Sequence, residues 1–240
     1  MKILITICGR GGSKGIPGKN VKEVNGLPLI GYSIKTARAF QKKYDAIVTL
    51  STDDEQIKSI GASLGLKTEY TRPTALATDT SGKLGVIKDV LFYEEKINQV
   101  RFDYLLDLDI TSPLRTIDDL SSALDLLMAN EKAINIFSVN PANRNPYFNM
   151  VQENKEGFYE LVKKQDGNVL TRQAAPKVYD MNASFYFYKR SFFDNSTYTG
   201  AITDRSLIYQ VPHICFDLDH SIDYEFLSFL MKEDKLDFWI

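Results

Sequence analysis

Met1–Asn20, "MKILITICGRGGSKGIPGKN", decides how the fold is read. Seven mostly apolar residues run straight into a loop with glycines at 9, 11, 12, 15 and 18. "KILITIC" is short, β-rich and closed by glycines, so it reads as a buried strand. Arg10, Lys14 and Lys19 are interleaved with the glycines, and Lys2 and Lys22 flank them. The first acid is Glu23. Glycines let successive backbone N–H groups converge on an anion without a Cβ in the way. Cations at such a loop then neutralise a polyphosphate. The stretch therefore predicts a strand that ends in an anion cradle.

Two common phosphate loops do not match. The P-loop pattern would require a glycine where Ser13 stands and a hydroxyl where Asn20 stands. The dinucleotide pattern accepts Gly9 and Gly11 but meets Lys14 at its third glycine. A plain flexible turn explains the glycines and leaves the three cations unexplained.

Outward from the loop, strand and helix signals alternate for about 140 residues. Residues 28–41 predict a helix with Ile30, Ile34, Ala37 and Arg38 near one stripe. "DAIVTLST" is a second strand. "TDDEQIKSIGASLG" has Thr52 and Glu55 at capping-box spacing and Gly65 as a stop. Residues 82–97 predict a helix with Val86, Ile87, Val90, Leu91 and Ile97 on its apolar side. "DYLLDLDI" and "AINIFSV" are strands. Between them Leu120, Ala123, Leu124, Leu127 and Met128 keep a helical period. "SFYFYKR" and "HICFDLD" read as later strands. A last helix, 221–234, is expected to turn Ile222, Phe226, Phe229 and Leu230 to the core.

This alternation implies right-handed crossovers and an α/β fold: a doubly wound, mostly parallel sheet. Ligands in such sheets bind at the carboxyl ends of the strands. The glycine loop and "DITSPLR" both lie there, so the two should face one crevice. From Asn140 to about Lys177 the rhythm gives way to Asn, Pro, Gly and Lys with short strand-like pieces. We read residues 1–240 as a single domain with a β-hairpin excursion inserted at about 140–180.

The chain has 240 residues, 44% hydrophobic and 25% charged, with a formal net charge of −2. No global field recruits nucleic acid or anionic membrane, so neither is expected as a partner. Attraction for anions must be local. Cys8 and Cys215 form no metal-like pattern and suit reduced, buried thiols. "MKILITIC" is too short for a signal peptide, and no stretch approaches the roughly 20 apolar residues of a membrane helix. A cytoplasmic location is expected by elimination.

The loop "RGGSKGIPGKN" resembles the signature of the acylneuraminate cytidylyltransferases, the CMP-sialic acid synthetases. Arg10, Gly12, Ser13, Lys14, Gly15, Ile16, Pro17, Lys19 and Asn20 all match that pattern. The likeness continues in "TRPTALATDT" with Arg72, in "TSPLR" at 111–115, in Arg172, in Asn182 of "YDMNASFYFY", and in "DLDHSIDYEF". Asp109-Ile110 replaces the usual Gln-Pro, and Asp180-Met181 replaces an arginine-containing step. Both departures fall where the sugar acid would lie, and the wording leans to the legionaminic-acid branch.

The resemblance implies a Rossmann-like nucleotidyltransferase that transfers CMP from CTP to the anomeric hydroxyl of a nine-carbon keto-sugar acid. It implies nucleotide contacts from Arg10, Gly12, Ser13, Lys14, Lys19, Asn20 and Arg72. Sugar-acid contacts are implied for Thr111, Ser112, Arg172 and Asn182; Asp109, where this chain departs from the pattern, reads as a sugar contact, a metal ligand or a strand-end structural carboxylate. It implies Mg²⁺ held by Asp217 and Asp219, with Lys19, Arg10 and Asp219 central to the reaction. It further implies that the hairpin is a homodimerisation element. On a strand the two aspartates would lie about 7 Å apart on one face. At an effective dielectric near 20 they would repel by roughly 2 kcal/mol, which a divalent cation offsets. Asp223 reads as a helix N-terminal carboxylate. His213 and His220 read as structural. The rival readings are a CMP-Kdo or CMP-pseudaminate synthetase and a catalytically silent CTP-binding module.

Overall fold

The structure is a computed structural model, which describes all residues except 13, 14, 79, 165–170 and 239–240. The chain forms two compact units, Met1–Ser138 with Asn182–Ile240, and Val139–Met181. In chain order the first elements are β1 (Ile3–Cys8), β2 (Glu23–Val24), β3 (Leu27–Pro28), α1 (Leu29–Lys43) and β4 (Ala46–Ser51). Then come α2 (Glu55–Ser63), α3 (Lys83–Asn98), β5 (Tyr104–Leu108), α4 (Ile117–Ala129) and β6 (Asn135–Pro141). The last are β7 (Val151–Glu153), β8 (Tyr159–Leu161), β9 (Tyr179–Lys189), β10 (Ser206–Gln210) and α5 (Ser221–Lys232).

The main sheet has the order β10-β6-β9-β5-β1-β4. β1 is parallel to β4 and to β5, and β5 is antiparallel to β9. Because β1 is buried on both faces, its sequence is a near-continuous apolar run. Its period of two feeds two cores: Ile3, Ile5 and Ile7 join one cluster, and Leu4 joins the other with Ile87, Leu91 and Leu105. The chain leaves β1 to one side for β4 and crosses back to the other side for β5. The carboxyl ends of β1 and β5 therefore flank the point where strand order reverses.

The helices follow the predicted spans with instructive exceptions. Thr52 is not the cap of α2. Asp54 is, its Oδ1 accepting from the Gln56 and Ile57 amides at 2.8 and 2.9 Å, while Thr52 Oγ1 accepts from the Asp54 amide. Gly65 does close that helix region, with φ +83. Ile97 and Met128 lie on solvent at 60% and 46% exposure: Ile97 is six residues beyond Leu91, the last buried residue of α3, and Met128 is turned off the buried stripe that includes its neighbour Leu127. In α5 the expected orientation is corrected as well. Leu227 and Leu230 are buried, whereas Ile222, Phe226 and Phe229 are exposed. An amphipathic period gives the width of the stripe, and the docking of α5 selects which edge of it is covered.

"HICFDLD" is not a strand. Residues 214–219 are extended but unladdered. They are held by single bonds, from the Leu218 amide to the Thr111 carbonyl at 2.9 Å and from Ser112 Oγ to the Phe216 carbonyl at 3.2 Å. Among the described residues no partner strand pairs with this segment, so Asp217 and Asp219 are placed by the bonds of their neighbours to the loop after β5, to Lys19 and to Asp223.

In the second unit β7 and β8 form an antiparallel hairpin with Val151 opposite Leu161. Asn145 ties its base, accepting from the Tyr147 amide and donating to the Pro176 carbonyl, both at 2.9 Å. Val151, Phe158 and Tyr159 are exposed. Of the aromatics gathered between 147 and 188, Phe185, Phe187 and Tyr188 are core residues of the first unit.

Candidate active site

β1 delivers the chain to Gly9, whose amide donates to the Ser51 carbonyl at 3.0 Å. The loop is then pinned at both ends. The Gly11 amide reaches Asp53 Oδ1 at 3.3 Å, and Asn20 Nδ2 donates to the Arg10 carbonyl at 3.0 Å. Asn20 is buried, so its amide braces the loop. Gly18, at φ +65, starts the short 3-10 turn Lys19–Val21 that carries Lys19 and Asn20. Glycine takes that left-handed backbone without the steric cost a Cβ brings.

The loop meets the acidic segment directly. A Cβ at Gly15 would collide with the Asp219 carbonyl. The Lys19 amine donates to the Leu218 carbonyl and lies 3.8 Å from Asp219 Oδ1. Two segments 200 residues apart in the chain thus close on one crevice. One lobe, about 300 Å³, is lined by Cys8, Gly9, Arg10, Gly15, Lys19, Asn20, Asp109, Thr111 and Asp219. A second lobe, about 220 Å³, is lined by Cys8, Arg10, Arg72, Leu76, Thr78, Ser81, Lys83, Val86 and Asp109. Cys8, Arg10 and Asp109 belong to both.

Asp109 is strongly fixed. Its Oδ1 accepts from the Thr111 amide and hydroxyl, both at 2.9 Å, and its Oδ2 accepts from Lys83 Nζ at 2.6 Å. Its carbonyl accepts from Ser33 Oγ and Arg115, both at 2.9 Å. Burial would raise its pKa, but Lys83 and Thr111 override this and hold it down at about 2. Arg115 is fully buried and also donates to the Ser112 and Ser184 carbonyls, so it staples the "TSPLR" turn to β9. Burial lowers its pKa only to about 10, which leaves it cationic at neutral pH. Burial and nearby Asp107 push the Cys8 thiol up to about 12, so this cysteine stays protonated.

Asp217 is half-buried, and its Oδ1 has no hydrogen-bond partner among the described residues. Burial, with Asp109 adding to it, raises its pKa. Asp219 is exposed at the mouth. Asp223 reaches back as expected, accepting from the Asp219 and His220 amides at 3.0 and 2.7 Å. Among the described residues no three His, Cys, Asp or Glu side chains converge as a ready metal cage.

The remaining expected residues fall in varied settings. Arg72 is buried beside the second lobe and donates to Ser51 Oγ and the Ser51 carbonyl at 3.1 and 2.7 Å. Gly12 faces open space. Ser13 and Lys14 lie outside the described residues. Ser112 is fully buried, its hydroxyl donating to the Phe216 carbonyl. Asn182 is buried, accepting from Ser138 Oγ at 2.6 Å and the Ser184 amide at 3.2 Å. Ala183 next to it has φ +57, a backbone kink within β9 that ends just beside Asp109, whose amide donates to the Ser184 carbonyl. Arg172, in the second unit, donates to the Asn143 carbonyl.

Sequence reasoning missed Lys83 and Asp107. Lys83 Nζ lies 2.7 Å from Asp107 and 2.6 Å from Asp109. Burial opposes its charge, yet the two carboxylates hold its pKa well above normal. The signal was present in "LLDLD", where acids alternate with leucines inside an otherwise apolar strand.

The cytidylyltransferase family model matches residues 4–228. The chain is 39% identical over 236 residues to post-translational flagellin modification protein B of Campylobacter coli, covering 98% of this chain and 97% of that one. It is 39% identical over 238 residues to CMP-N,N'-diacetyllegionaminic acid synthase of Campylobacter jejuni, with coverage of 98% and 97%. Among solved structures it resembles a CMP:2-keto-3-deoxy-manno-octonic acid synthetase complexed with CTP, at TM-score 0.68 and 17% identity, covering 98% of this chain and 100% of that one. That last likeness concerns the fold alone.

Proposed function

The chain belongs to the cytidylyltransferase family, and from that premise we propose that it transfers CMP from CTP to a nine-carbon keto-sugar acid of the legionaminic type. The anomeric oxygen attacks the α-phosphorus, and pyrophosphate leaves. The single observation that carries the reading is the meeting of the glycine loop with the Asp217–Asp219 segment across one crevice, through Lys19 and Gly15. A basic loop facing an acidic segment is what a triphosphate shared with a divalent cation requires.

In this reading Arg10 and Lys19 neutralise the triphosphate, and Gly12, Ser13, Lys14, Asn20 and Arg72 belong to the nucleotide side. Thr111 and Asp109 line the wall facing the acidic segment. Asp109 stays ionised at neutral pH, so it orients a donor and does not take the proton. Arg172 is assigned to the sugar carboxylate, which a guanidinium binds bidentately, and Asn182 to the sugar side. Asp217 and Asp219 would hold Mg²⁺, with phosphate oxygens completing the shell. The unpartnered oxygen of Asp217 fits that role. When bound, the ion supplies charge neutralisation and polarises the α-phosphate. Positioning and electrostatics carry most of the rate in such transfers.

The legionaminic lean rests on the wording of "LDITSPLR" and "YDMNAS" and on the 39% identical synthase. We further propose a homodimer formed through the hairpin of the second unit, whose Val151, Phe158 and Tyr159 are exposed, and a cytoplasmic setting. Among the described residues no helix is long and apolar enough to cross a membrane.

The test is mass spectrometry of products from CTP, Mg²⁺ and a mixed pool of sialic, legionaminic and pseudaminic acids. A CMP-legionaminate product with pyrophosphate release is expected. A different CMP-sugar would move the substrate, and CTP binding without any product would leave a silent module.

A further inference from the structure

We propose that Lys83 is a positioning residue that makes the crevice tolerant of a polyanion by neutralising Asp107 and holding Asp109 in place. The inference rests on the reading that the crevice binds CTP. Its starting point is a conflict. Asp107 is fully buried at the end of β5, and Asp109 lies two residues on, at the junction of the two lobes. Two carboxylates this close, one of them fully buried and the other lining the crevice, repel each other and any phosphate brought beside them.

Lys83 resolves that conflict with one ammonium. Its Nζ bridges both acids, at 2.7 and 2.6 Å, and sits 5.3 Å from the centroid of the Tyr186 ring. The other oxygen of Asp107 accepts from Thr6 Oγ1 at 2.8 Å, which fixes that carboxylate from below. Lys83 is the first residue of α3, so helix and ammonium arrive together. With all three groups ionised the trio carries −1. Without the lysine it carries −2, facing Arg10 and Arg72 in the same lobe. Those arginines would then be drawn to protein carboxylates in competition with phosphate.

This assignment differs from a direct contact in what rescues it. Lys83→Met lowers the trio's charge from −1 to −2. Adding Asp107→Asn returns it to −1 without restoring any amine. A lysine that touched phosphate directly would not be replaced by that second change.

CTP binding to the purified full chain is measured by titration calorimetry, with circular dichroism as the check on folding. Lys83→Met is expected to weaken CTP binding about tenfold or more. The double variant Lys83→Met/Asp107→Asn is expected to recover to within about threefold of the wild type. In turnover assays the single variant should raise KM for CTP more than it lowers kcat. Unchanged binding in Lys83→Met overturns the proposal, as does a double variant that folds and still binds poorly. Should Lys83→Met fail to fold, the double variant alone decides: native-like CTP binding supports the proposal, and loss of fold or binding overturns it. A wild-type chain that binds no CTP would instead defeat the functional reading itself.

Discussion

Two groups of buried acids stand in the first unit, and they are finished differently. Asp119, at the start of α4, has its bonding capacity filled. It accepts from the Thr116 amide and hydroxyl, both at 2.7 Å, from Tyr209 at 3.1 Å and from His213 at 2.9 Å. Phe238 stacks on the His213 ring and closes the cluster. Asp217, in the acidic segment, keeps a buried oxygen without a hydrogen-bond partner among the described residues. A saturated acid stabilises the fold, whereas an unsaturated one costs stability until a ligand arrives. In the proposed reading Asp217 waits for a ligand, whereas Asp119 serves the architecture.

The sharpest way to break the contrast is to exchange each acid. Asp217→Asn should cut kcat by about 10²–10³-fold while leaving the melting temperature unchanged or raised. Steady-state kinetics beside a thermal melt tests both halves, and near-native turnover would remove Asp217 from the machinery. Asp119→Ala should do the reverse. Leaving His213 buried without its partner costs about 3 kcal/mol in chemical denaturation, with turnover per folded molecule nearly intact. Loss of turnover at unchanged stability would mean that the hub was misread.

A smaller effect sharpens the geometry. Gly15→Ala forces a methyl against the Asp219 carbonyl and pushes the basic loop off the acidic segment. The apparent affinity for CTP should fall by about 10- to 100-fold, read by calorimetry. Unaltered affinity would show that the two segments act independently.

The smallest effect is a pH dependence at the saturated hub. Burial works against the charge on His213, but the bond to Asp119 wins and raises its pKa above 6.5. Burial likewise opposes Asp119, yet its bonds from His213 and Thr116 leave its pKa below 3.8. The histidine's contribution is therefore complete below about pH 6.5 and fades as pH rises through the raised value. The aspartate's is present above about pH 3.8 and fades as pH falls through the lowered value. The stability gap between wild type and His213→Gln should be widest near pH 5–6 and shrink by about 1 kcal/mol toward pH 9. A gap that grew with pH would reverse the assignment of the pair.

Much of the fold was legible in sequence because it rests on local periods. β1, α1, α3, β5 and α4 each advertise themselves by apolar spacing, and the glycine loop by composition. Some local readings failed because a period does not say what covers it, and one because a capping pattern does not say which side chain reaches the amides. The 214–219 segment alternates like a strand but meets single bonds and no ladder. α5 is amphipathic, yet its outer aromatic edge remains on solvent. The cap of α2 moved from Thr52 to Asp54 because Thr52 was already turned toward the Asp54 amide.

By itself, then, the sequence determined most of the strands and helices of the first 140 residues, where the basic glycine loop falls, and which nine residues of that loop resemble a nucleotide-binding signature. Only the tertiary structure decided that Lys19 meets Leu218 and Asp219, that Ser112 is inside the fold, and that Lys83 bridges Asp107 and Asp109. Local order follows from spacing along the chain. Charge compensation is a three-dimensional condition: Lys83 reaches Asp107 and Asp109 from a different element, and no short window of sequence contains all three.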